Sequence, residues 1–363
     1  MPEVVTCRSV TYINNKTAAS LTQEEIDLDT CYEDNEIVIH VHAAAFNPVD
    51  LLSQGFMCSY LVSSRPKSYG RDYSGVIVRR GKNVDEKWQI GDKVNGAQAF
   101  LVGQSGSMSD YLVLNPSKQC SISHMKPINQ DIQGKYDEFT FDAAWPLVFC
   151  TAFGILTNYG QKFGPDSRIL VIGASTAVSN AFVQIAKNYM NVGTVVGVCS
   201  SKSVEYNKKL GFDYLATYDE GPLIESVAKV FLRDLQKEKF DLIFDSVGNN
   251  DFFPVLDKFL KPRSQNSYYI TIVGDGKLKY GSFSAMGTFW MASRILNPFR
   301  SYNYKFGLFS PSERAMEIGN KLISEGKYKP AIDSVHPIED FKEAIDRLSS
   351  SRAKGKVVLK INN

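Results

Sequence analysis

Polar and apolar residues alternate over the first 120 residues, in short runs that turn residues separate. The alternation is clearest in EIVIHVHAAAF (Glu36–Phe46), which Asn47-Pro48 ends. Asp72–Gly81 and Ser109–Asn115 repeat the pattern, and Gly91-Asp92 predicts a turn before another short strand. Strands at this spacing predict a barrel-like or sandwich domain.

From about Phe141 the pattern changes to short apolar runs that alternate with helical stretches. An apolar helix is predicted at Asp142–Leu156. The predicted strands after it are RILVIG, TVVGVC, DYLATY, FDLIFDSVG and SYYITIVG, and the last of them closes the series. Helices are predicted near Val178–Met190, Val204–Leu210, Leu223–Gln236 and Phe252–Leu260. Such alternation is typical of a doubly wound parallel sheet, which makes the chain an α/β protein.

The tail after Ser312 contains two amphipathic helices, RAMEIGNKLISEGK and HPIEDFKEAIDRL, and a last strand, GKVVLKI. It is too short to hold a core of its own, so we expect it to rejoin the first domain. The predicted domains are therefore a β-rich domain of residues 1–142 and 311–363, and a doubly wound domain of residues 143–310.

Composition narrows the class of protein. The chain has 363 residues, of which 44% are hydrophobic and 22% are charged, as in a soluble globular protein. A net charge of +2 offers no electrostatic basis for nucleic-acid binding. No run of 18 apolar residues predicts a transmembrane helix, and MPEVVTCRSV has no secretory h-region. The six cysteines show neither CxxC pairs nor zinc-finger spacing, which favours reduced thiols in a cytoplasmic protein.

The segment from Gly276 to Ser312 is basic and aromatic, and it contains no acidic residue. Two interpretations stay open. Clustered aromatic residues are usually buried, which favours a domain junction or a homodimer contact. A basic aromatic stretch can also adsorb to a lipid surface, which predicts peripheral contact with a membrane, a lipid droplet or the mitochondrial surface.

Residues 171–187, VIGASTAVSNAFVQIAK, have the outline of a strand, a tight turn and a helix N-terminus. Such an arrangement binds the pyrophosphate of a dinucleotide, because helix N–H groups and the helix dipole favour an anion. The strand exit at Gly173 is suited to a tight turn, but the segment is otherwise poor in the glycines of a dinucleotide turn.

Six segments follow one another in a known order: AAAFNPVD, YGRDYSGVIV, QIGDKV, AAWPLVFCTAFGIL, FDLIFDSVG and SSSRAKGKVVLKI. Together they resemble the medium-chain dehydrogenase/reductase superfamily, in particular its zinc-independent quinone oxidoreductase-like branch. The resemblance covers nearly the whole chain. It implies a GroES-like barrel domain, a Rossmann domain and a dimer that extends the Rossmann sheet.

The residues at the metal-ligand places of zinc-dependent relatives do not suit zinc. Those places read FNPVD and GRDYSG here, with Asn47 and Arg71 where the ligands would be, and the four-cysteine zinc lobe is missing. Protein ligands of zinc are cysteine, histidine and carboxylate groups, and asparagine and arginine are not among them. We therefore predict no catalytic metal.

The resemblance also implies a set of cofactor contacts. The family turn reads G-A-x-G-G-V-G, and this chain has Gly173, Ala174, Ser175, Thr176, Ala177, Val178 and Ser179 there. Thr176 matters most, because its side chain could either crowd a phosphate oxygen or donate to it. VCSSKS has no acid to accept from an NAD ribose, whereas Ser200, Lys202, Tyr218 and Arg352 match the family residues around a 2′-phosphate. The predicted cofactor is thus NADPH. Ribose and nicotinamide are expected to contact Thr151, Ser246, Gly248, Val273, Phe306 and Leu308.

Two functions remain open. The first is NADPH-dependent reduction of a quinone, enone or related carbonyl compound, with the substrate oxygen polarised by hydrogen bonds. Asn47 is the predicted catalytic donor, and Asp50 is expected to hold its loop. The substrate-side tyrosine of the family is not evident, and Tyr69 and Tyr73 are the fallback donors. The second is a non-catalytic protein that senses NADP(H) or acts as a scaffold, in solution or at a lipid or organelle surface.

Overall fold

The described residues form two compact units. The structure is a computed structural model that describes residues 3–56, 65–99, 106–118, 120–276, 285–297 and 300–362, apart from the side chains of residues 56 and 285–290. Unit one runs to Cys150 and resumes at Phe309, and unit two lies between Thr151 and Leu308.

Unit one is built on β-strands. They are β1 (Val4–Tyr12), β2 (Ser20–Asp27), β3 (Ile37–Phe46), β4 (Lys67–Ser68), β5 (Asp72–Arg80), β6 (Lys93–Gln98), β7 (Tyr111–Leu114), β8 (Cys120–His124), and, after the strands of unit two, β15 (Ile332–Pro337) and β16 (Lys356–Lys360). One sheet has the order β2-β1-β4, and a second has the order β15-β16-β3-β5-β6-β8, with β7 paired to β3. The tail rejoins this unit as predicted, since β16 pairs with β3 in antiparallel register, Val357 opposite Phe46.

The predicted apolar helix at 142–156 is two helices in the structure. They are α3 (Glu138–Asp142) and α4 (Pro146–Thr157). Pro146 is the first residue of α4, where its missing N–H costs no helical hydrogen bond. The remaining helices of unit one are α1 (Pro48–Phe56), α2 (Gln130–Gln133), α10 (Glu313–Ser324) and α11 (Phe341–Ser349).

Unit two is a parallel sheet with helices between its strands. The strands are β9 (Arg168–Ile172), β10 (Thr194–Cys199), β11 (Tyr214–Thr217), β12 (Leu242–Asp245), β13 (Tyr268–Thr271) and β14 (Asn303–Phe306), in the order β11-β10-β9-β12-β13-β14. The helices are α5 (Ala177–Asn188), α6 (Val204–Leu210), α7 (Leu223–Arg233), α8 (Leu256–Phe259) and α9 (Ala285–Leu296). Apolar side chains of the strands and of α7 and α8 form its main core.

Two predictions for unit two are wrong in detail. SYYITIVG does not close the series, because β14 pairs in parallel with β13 at the edge of the sheet. The predicted helix at 252–260 is a short 3-10 turn, Phe253–Val255, followed by α8. Its last residue, Leu260, instead forms a parallel bridge with Phe240. Pro254 lies in the 3-10 turn, near its start.

Among the residues that the structure describes, one helical stretch is long and apolar enough to cross a membrane. It is Glu138–Thr157, and 89% of its most apolar window is buried inside the protein. That burial is what a core helix shows, and a core helix can be equally long and apolar.

Candidate functional site

The strand β9 ends in a turn that only glycine can make without strain. Gly173 has a φ of +86°, and a Cβ atom added to it would lie 2.5 Å from Cγ1 of Val247 and 2.6 Å from Oγ of Ser246. The next residue, Ala174, donates its N–H to the carbonyl of Val198 at the end of β10. The turn therefore leaves the sheet tightly, between β10 and β12.

Thr176, one of the residues in place of the family glycines, is the N-cap of α5. Its φ and ψ are −71° and 155°, and its hydroxyl accepts from the N–H of Ser179 at 3.2 Å. The same hydroxyl lies 3.0 Å from Oγ of Ser179 and 3.0 Å from Oγ of Ser246. We call Thr176, Ser179 and Ser246 the hydroxyl cluster. Its members join the turn to the end of β12, and Ser246 donates to the carbonyls of Ile172 and Gly173, at 3.0 and 3.1 Å.

The first turn of α5 keeps donors for an anion. Within the described part of the chain, the backbone N–H groups of Ala177 and Val178 have no hydrogen-bond partner. Both belong to the positive end of the helix dipole. The hydroxyl oxygen of Ser175 accepts from Nδ2 of Asn207 at 2.9 Å, which leaves its hydrogen free to donate. These donors fit a diphosphate by charge and by type.

Asn207 was not among the predicted site residues. Its side chain is fully buried on α6, and its Nδ2 also donates to the carbonyl of Ser203 at 2.9 Å. An asparagine inside a helix gives no sequence signal of such a contact, because its partner Ser175 lies 32 residues earlier.

The ends of β10 and β11 lie side by side and carry the residues predicted to surround a 2′-phosphate. Cys199 is in register with Thr217, and the N–H of Tyr218 donates to the carbonyl of Cys199 at 3.2 Å. Oγ of Ser200 is 3.1 Å from Oγ of Ser203. Lys202 is exposed and has no ion pair among the described residues. The structure thus places Ser200, Lys202 and Tyr218 at the ends of neighbouring strands.

An acidic residue from the end of β11 is bonded to the turn after β10, and it was not predicted. Asp219 accepts from the N–H of Ser201 at 2.8 Å and from its hydroxyl at 2.9 Å. The backbone N–H of Ser201, then its hydroxyl and the charge of Lys202, hold the pKa of Asp219 below its usual value. The end of the second strand has no acid of its own, and this carboxylate comes from the end of the third.

A buried carboxylate shapes the loop after β12. Asp245 accepts from the N–H groups of Val247, Gly248 and Asn249, at 3.0, 2.9 and 2.7 Å. Burial raises the pKa of Asp245 to about 6, although these three hydrogen bonds act to lower it. Gly248 has a φ of +77°, and an added Cβ would lie 2.0 Å from the carbonyl oxygen of Gly276. The loop therefore brings Ser246 and Gly248 to the same edge of the sheet as the β9 turn.

The other predicted cofactor residues are more widely spread. Val273 and Phe306 are half-buried, after β13 and at the end of β14, and the side chain of Leu308 is 71% exposed. Thr151 is buried on α4. Arg352 is exposed and belongs to unit one. In unit two, the carboxyl ends of β9, β10, β12, β13 and β14 lie at one edge of the sheet, where open α/β sheets bind ligands. The individual assignments stay predictions.

The predicted catalytic residue, Asn47, lies in a buried polar network of unit one. Its Nδ2 donates to Oδ2 of Asp72 at 2.8 Å and lies 3.4 Å from the carbonyl of Ala45. Its Oδ1 accepts from Nζ of Lys356 at 2.5 Å, and Lys356 also pairs with Asp72 at 2.7 Å. The amide hydrogens are thus directed at protein acceptors. These contacts do not show Asn47 as a hydrogen-bond donor to a substrate, and its catalytic role stays a prediction.

The neighbouring acid and the two fallback donors are also engaged or buried. Asp50 accepts from the N–H of Asn47 at 2.7 Å and lies 3.4 Å from Nε of Arg71, which suits its expected role in the loop. Burial raises the pKa of Asp50 to about 6. The hydroxyl of Tyr69 donates to Gln54 at 2.6 Å, and Tyr73 is fully buried. Among the described residues, no group of three or more His, Cys, Asp and Glu side chains could hold a metal ion.

Part of the basic aromatic segment packs inside unit two. Tyr304 is buried and donates to Asp275 at 3.0 Å, and Arg294 pairs with Asp275 and stacks on Phe253 at 3.4 Å. Tyr302 packs against the same core. The side chains of Phe283, Phe289 and Trp290, on which the predicted dimer and lipid contacts chiefly depend, lie outside the described residues. Those contacts stay predictions.

Two family models match the chain. The family model for the alcohol dehydrogenase GroES-like domain matches residues 33–124, and that for zinc-binding dehydrogenase matches residues 210–359. The chain belongs to the medium-chain dehydrogenase/reductase superfamily, a superfamily of oxidoreductases that generally bind NAD(H) or NADP(H). The predicted GroES-like and Rossmann folds are confirmed.

Individual relatives extend over the whole chain. Protein YIM1 of Saccharomyces cerevisiae strain S288c is 52% identical over 361 residues, which is 99% of each chain. The quinone oxidoreductase from Coxiella burnetii superimposes with a TM-score of 0.77 at 20% identity, over 99% of this chain and 100% of that one. The human synaptic vesicle membrane protein VAT-1 homolog-like protein has a TM-score of 0.69 at 21% identity, over 99% of both. At such identities, the two structures support the fold alone.

Proposed function

We propose that the chain is an NADPH-dependent, zinc-independent reductase of quinones, enones or related carbonyl compounds. One observation carries the proposal. The N-terminus of α5 presents the N–H groups of Ala177 and Val178 and the hydroxyl of Ser175, beside a strand exit that only Gly173 permits. Substitution of the family glycines has therefore not removed the donors that a pyrophosphate needs.

The preference for the phosphorylated cofactor rests on the ends of β10 and β11. Lys202 is an exposed cation, and the hydroxyls of Ser200 and Tyr218 belong to the same two strand ends. An ammonium and two hydroxyls suit a 2′-phosphate by charge-assisted hydrogen bonds. Arg352 is proposed as a further contact on the family resemblance alone.

NADPH, when bound, supplies a hydride to the substrate. The protein's own task is to hold the cofactor, to polarise the acceptor oxygen and to exclude competing water. Because the amide of Asn47 is directed at Asp72 and Ala45, its action as a donor requires one of these contacts to exchange. Otherwise a water molecule supplies the proton. Zinc-independence rests on Asn47 and Arg71 at the ligand places, neither of which suits zinc.

The test is a fluorescence titration with NADPH of the wild type and of Lys202→Ala, with Lys209→Ala as the matched control. We expect binding in the micromolar range, weakened about tenfold by Lys202→Ala through the loss of one charged contact. Lys209 is an exposed cation on α6, so its substitution should change the Kd by less than twofold. Absence of binding at millimolar NADPH would contradict the proposal.

Turnover separates an enzyme from a sensor. With 9,10-phenanthrenequinone or an alkenal as substrate, we expect oxidation of NADPH that a metal chelator does not inhibit. Loss of turnover with the chelator and its return with zinc would refute the zinc-independent mechanism.

A non-catalytic NADP(H) sensor or scaffold is the second candidate, and the engagement of Asn47 favours it. Binding without turnover of any carbonyl substrate would support it. Lipid flotation of the wild type against a Phe289→Glu, Trp290→Glu variant tests a membrane or lipid-droplet location. Equal flotation of the two proteins would contradict the lipid contact and would favour a domain junction or dimer contact for the basic aromatic segment.

A further inference from the structure

The end of β10 holds two opposite charges, and only one of them was expected there. Lys202 follows β10 by three residues, and Asp219 follows β11 by two. Because β10 and β11 are parallel neighbours, both residues leave the same edge of the sheet. The Ser201–Ser203 turn carries Lys202 and is held to Asp219 through the N–H and the hydroxyl of Ser201, at 2.8 and 2.9 Å.

The two bonds fix where the negative charge lies. Each oxygen of Asp219 accepts one hydrogen bond from Ser201, so the carboxylate is oriented against the turn instead of swinging into solvent. The bonds also keep it ionised, since the N–H and hydroxyl of Ser201 lower its pKa. A carboxylate retains further lone pairs, which can accept from a ribose hydroxyl. It repels a phosphate at the same place.

We propose that Asp219 is a specificity-determining residue that weakens NADPH relative to NADH and so opposes Lys202. The inference rests on the proposed function, because it assumes that a dinucleotide adenosine lies at this strand end. The positive charge of Lys202 attracts a 2′-phosphate, whereas the oriented carboxylate of Asp219 repels it. The preference for NADPH over NADH then depends on both the attraction of the 2′-phosphate to Lys202 and its repulsion by Asp219, and not on the cation alone.

The test compares the Kd of NADPH and of NADH for the wild type and for Asp219→Asn, measured by fluorescence. Asparagine keeps an acceptor for the N–H of Ser201 and removes the charge. We expect the Kd of NADPH to fall three- to tenfold at 0.01 M salt and that of NADH to change less than twofold. The difference should shrink at 0.15 M salt, because the Debye length falls from about 30 Å to about 8 Å.

Two further variants separate charge from structure. Glu220→Gln removes the same charge one residue later, where the carboxylate bonds to Thr217 instead of Ser201. It should change the ratio of the two Kd values by less than twofold. Ser201→Ala removes one bond to Asp219 and keeps its charge, and it should also leave the ratio near that of the wild type.

The outcomes are distinct. An unchanged ratio in Asp219→Asn, or an equal shift in Glu220→Gln or Ser201→Ala, overturns the role of the Asp219 charge while the proposed function stands. Failure of the wild type to bind either nucleotide overturns the proposed function, and the inference with it. A selective, salt-dependent gain for NADPH in Asp219→Asn alone supports both.

Discussion

Thr176 shows how a β-branched residue is accommodated where the family has glycine. Its hydroxyl caps α5 and belongs to the hydroxyl cluster with Ser179 and Ser246, so the side chain satisfies groups of the turn itself. An N-cap hydroxyl satisfies a helix N–H that would otherwise lack a partner. The three hydroxyls together connect the β9 turn to the end of β12.

Thr176→Ala should lower the free energy of unfolding by about 1 kcal/mol, because the N–H of Ser179 loses its acceptor. We also expect a higher Kd for NADPH, since the first turn of α5 is then less well held. Thr176→Ser keeps the hydroxyl and is the control, with stability and Kd near those of the wild type. Urea unfolding and fluorescence titration measure the two quantities. Equal loss in the Ser and Ala variants would show that the methyl group, not the hydroxyl, matters.

Asp142 is a buried carboxyl group whose ionisation opposes folding. Burial raises its pKa from 3.8 to about 7, although the indole N–H of Trp145 donates to it at 2.9 Å. Because the pKa is higher in the folded state, its contribution to stability is full below the unfolded pKa. The contribution is lost as the pH rises through the folded pKa.

Asp142→Asn should therefore make the protein less sensitive to pH between 5 and 8. The wild type loses on the order of 2 kcal/mol of stability from Asp142 over this range, and the variant does not. Urea unfolding at both pH values measures the difference. Asp137→Asn is the control: its pKa is lowered, so its contribution changes only below this range. An identical pH dependence in Asp142→Asn and the wild type would contradict the assignment.

At the scale of elements, a buried ion pair joins three strands and α4 in unit one. Lys356 on β16 and Asp72 on β5 are at most 3% exposed and are 2.7 Å apart, and Asn47 after β3 bonds to both. Oδ1 of Asp72 also accepts from the N–H of Leu147 in α4 at 2.7 Å. The first and last parts of the chain are thus linked by one polar network.

Lys356→Met should destabilise the protein by about 3–5 kcal/mol, because it leaves the carboxylate of Asp72 buried without its cation. Lys360→Met, on the same strand, is the matched control. Lys360 pairs with Asp137 at 3.1 Å where both are more than 40% exposed, so its loss should cost less than about 1 kcal/mol. Urea unfolding of both variants measures this. Similar losses would mean that the buried pair is not the link we describe.

The contacts of Asn47 in this network could not be predicted from the sequence. Its catalytic role is predicted from the family resemblance, whereas its partners are 25 and 309 residues away in the sequence. Regular elements are easier to predict from the sequence than such contacts, because hydrophobic periodicity is local. The predicted ranges of β10 and α6 agree with the structure. The strand β14 was missed because NYKF is short and lies in an aromatic segment.

At the scale of the whole molecule, cofactor binding should stabilise the protein as a linked equilibrium. A ligand at 100 times its Kd adds about 2.7 kcal/mol to the free energy of unfolding. We expect NADPH to raise the Tm, and hydrogen exchange to slow at residues 173–179 and 199–203 of unit two. Lys202→Ala should need more NADPH for the same shift. Protection confined to other parts of the chain would contradict a site on this sheet edge.

Only part of this protein could be derived from its sequence. Local periodicity and the order of six family segments determined the β-rich domain, the Rossmann domain and the tight turn at Gly173. Their physical basis is local, since alternation and helix caps act within a few residues. Tertiary structure decided how the turn is held to the end of β12, through hydroxyls 67 and 70 residues apart. It also committed the amide of Asn47 to Asp72 and Lys356, and it brought Asp219 to the end of β10. These are contacts between separate strands, which no local pattern specifies.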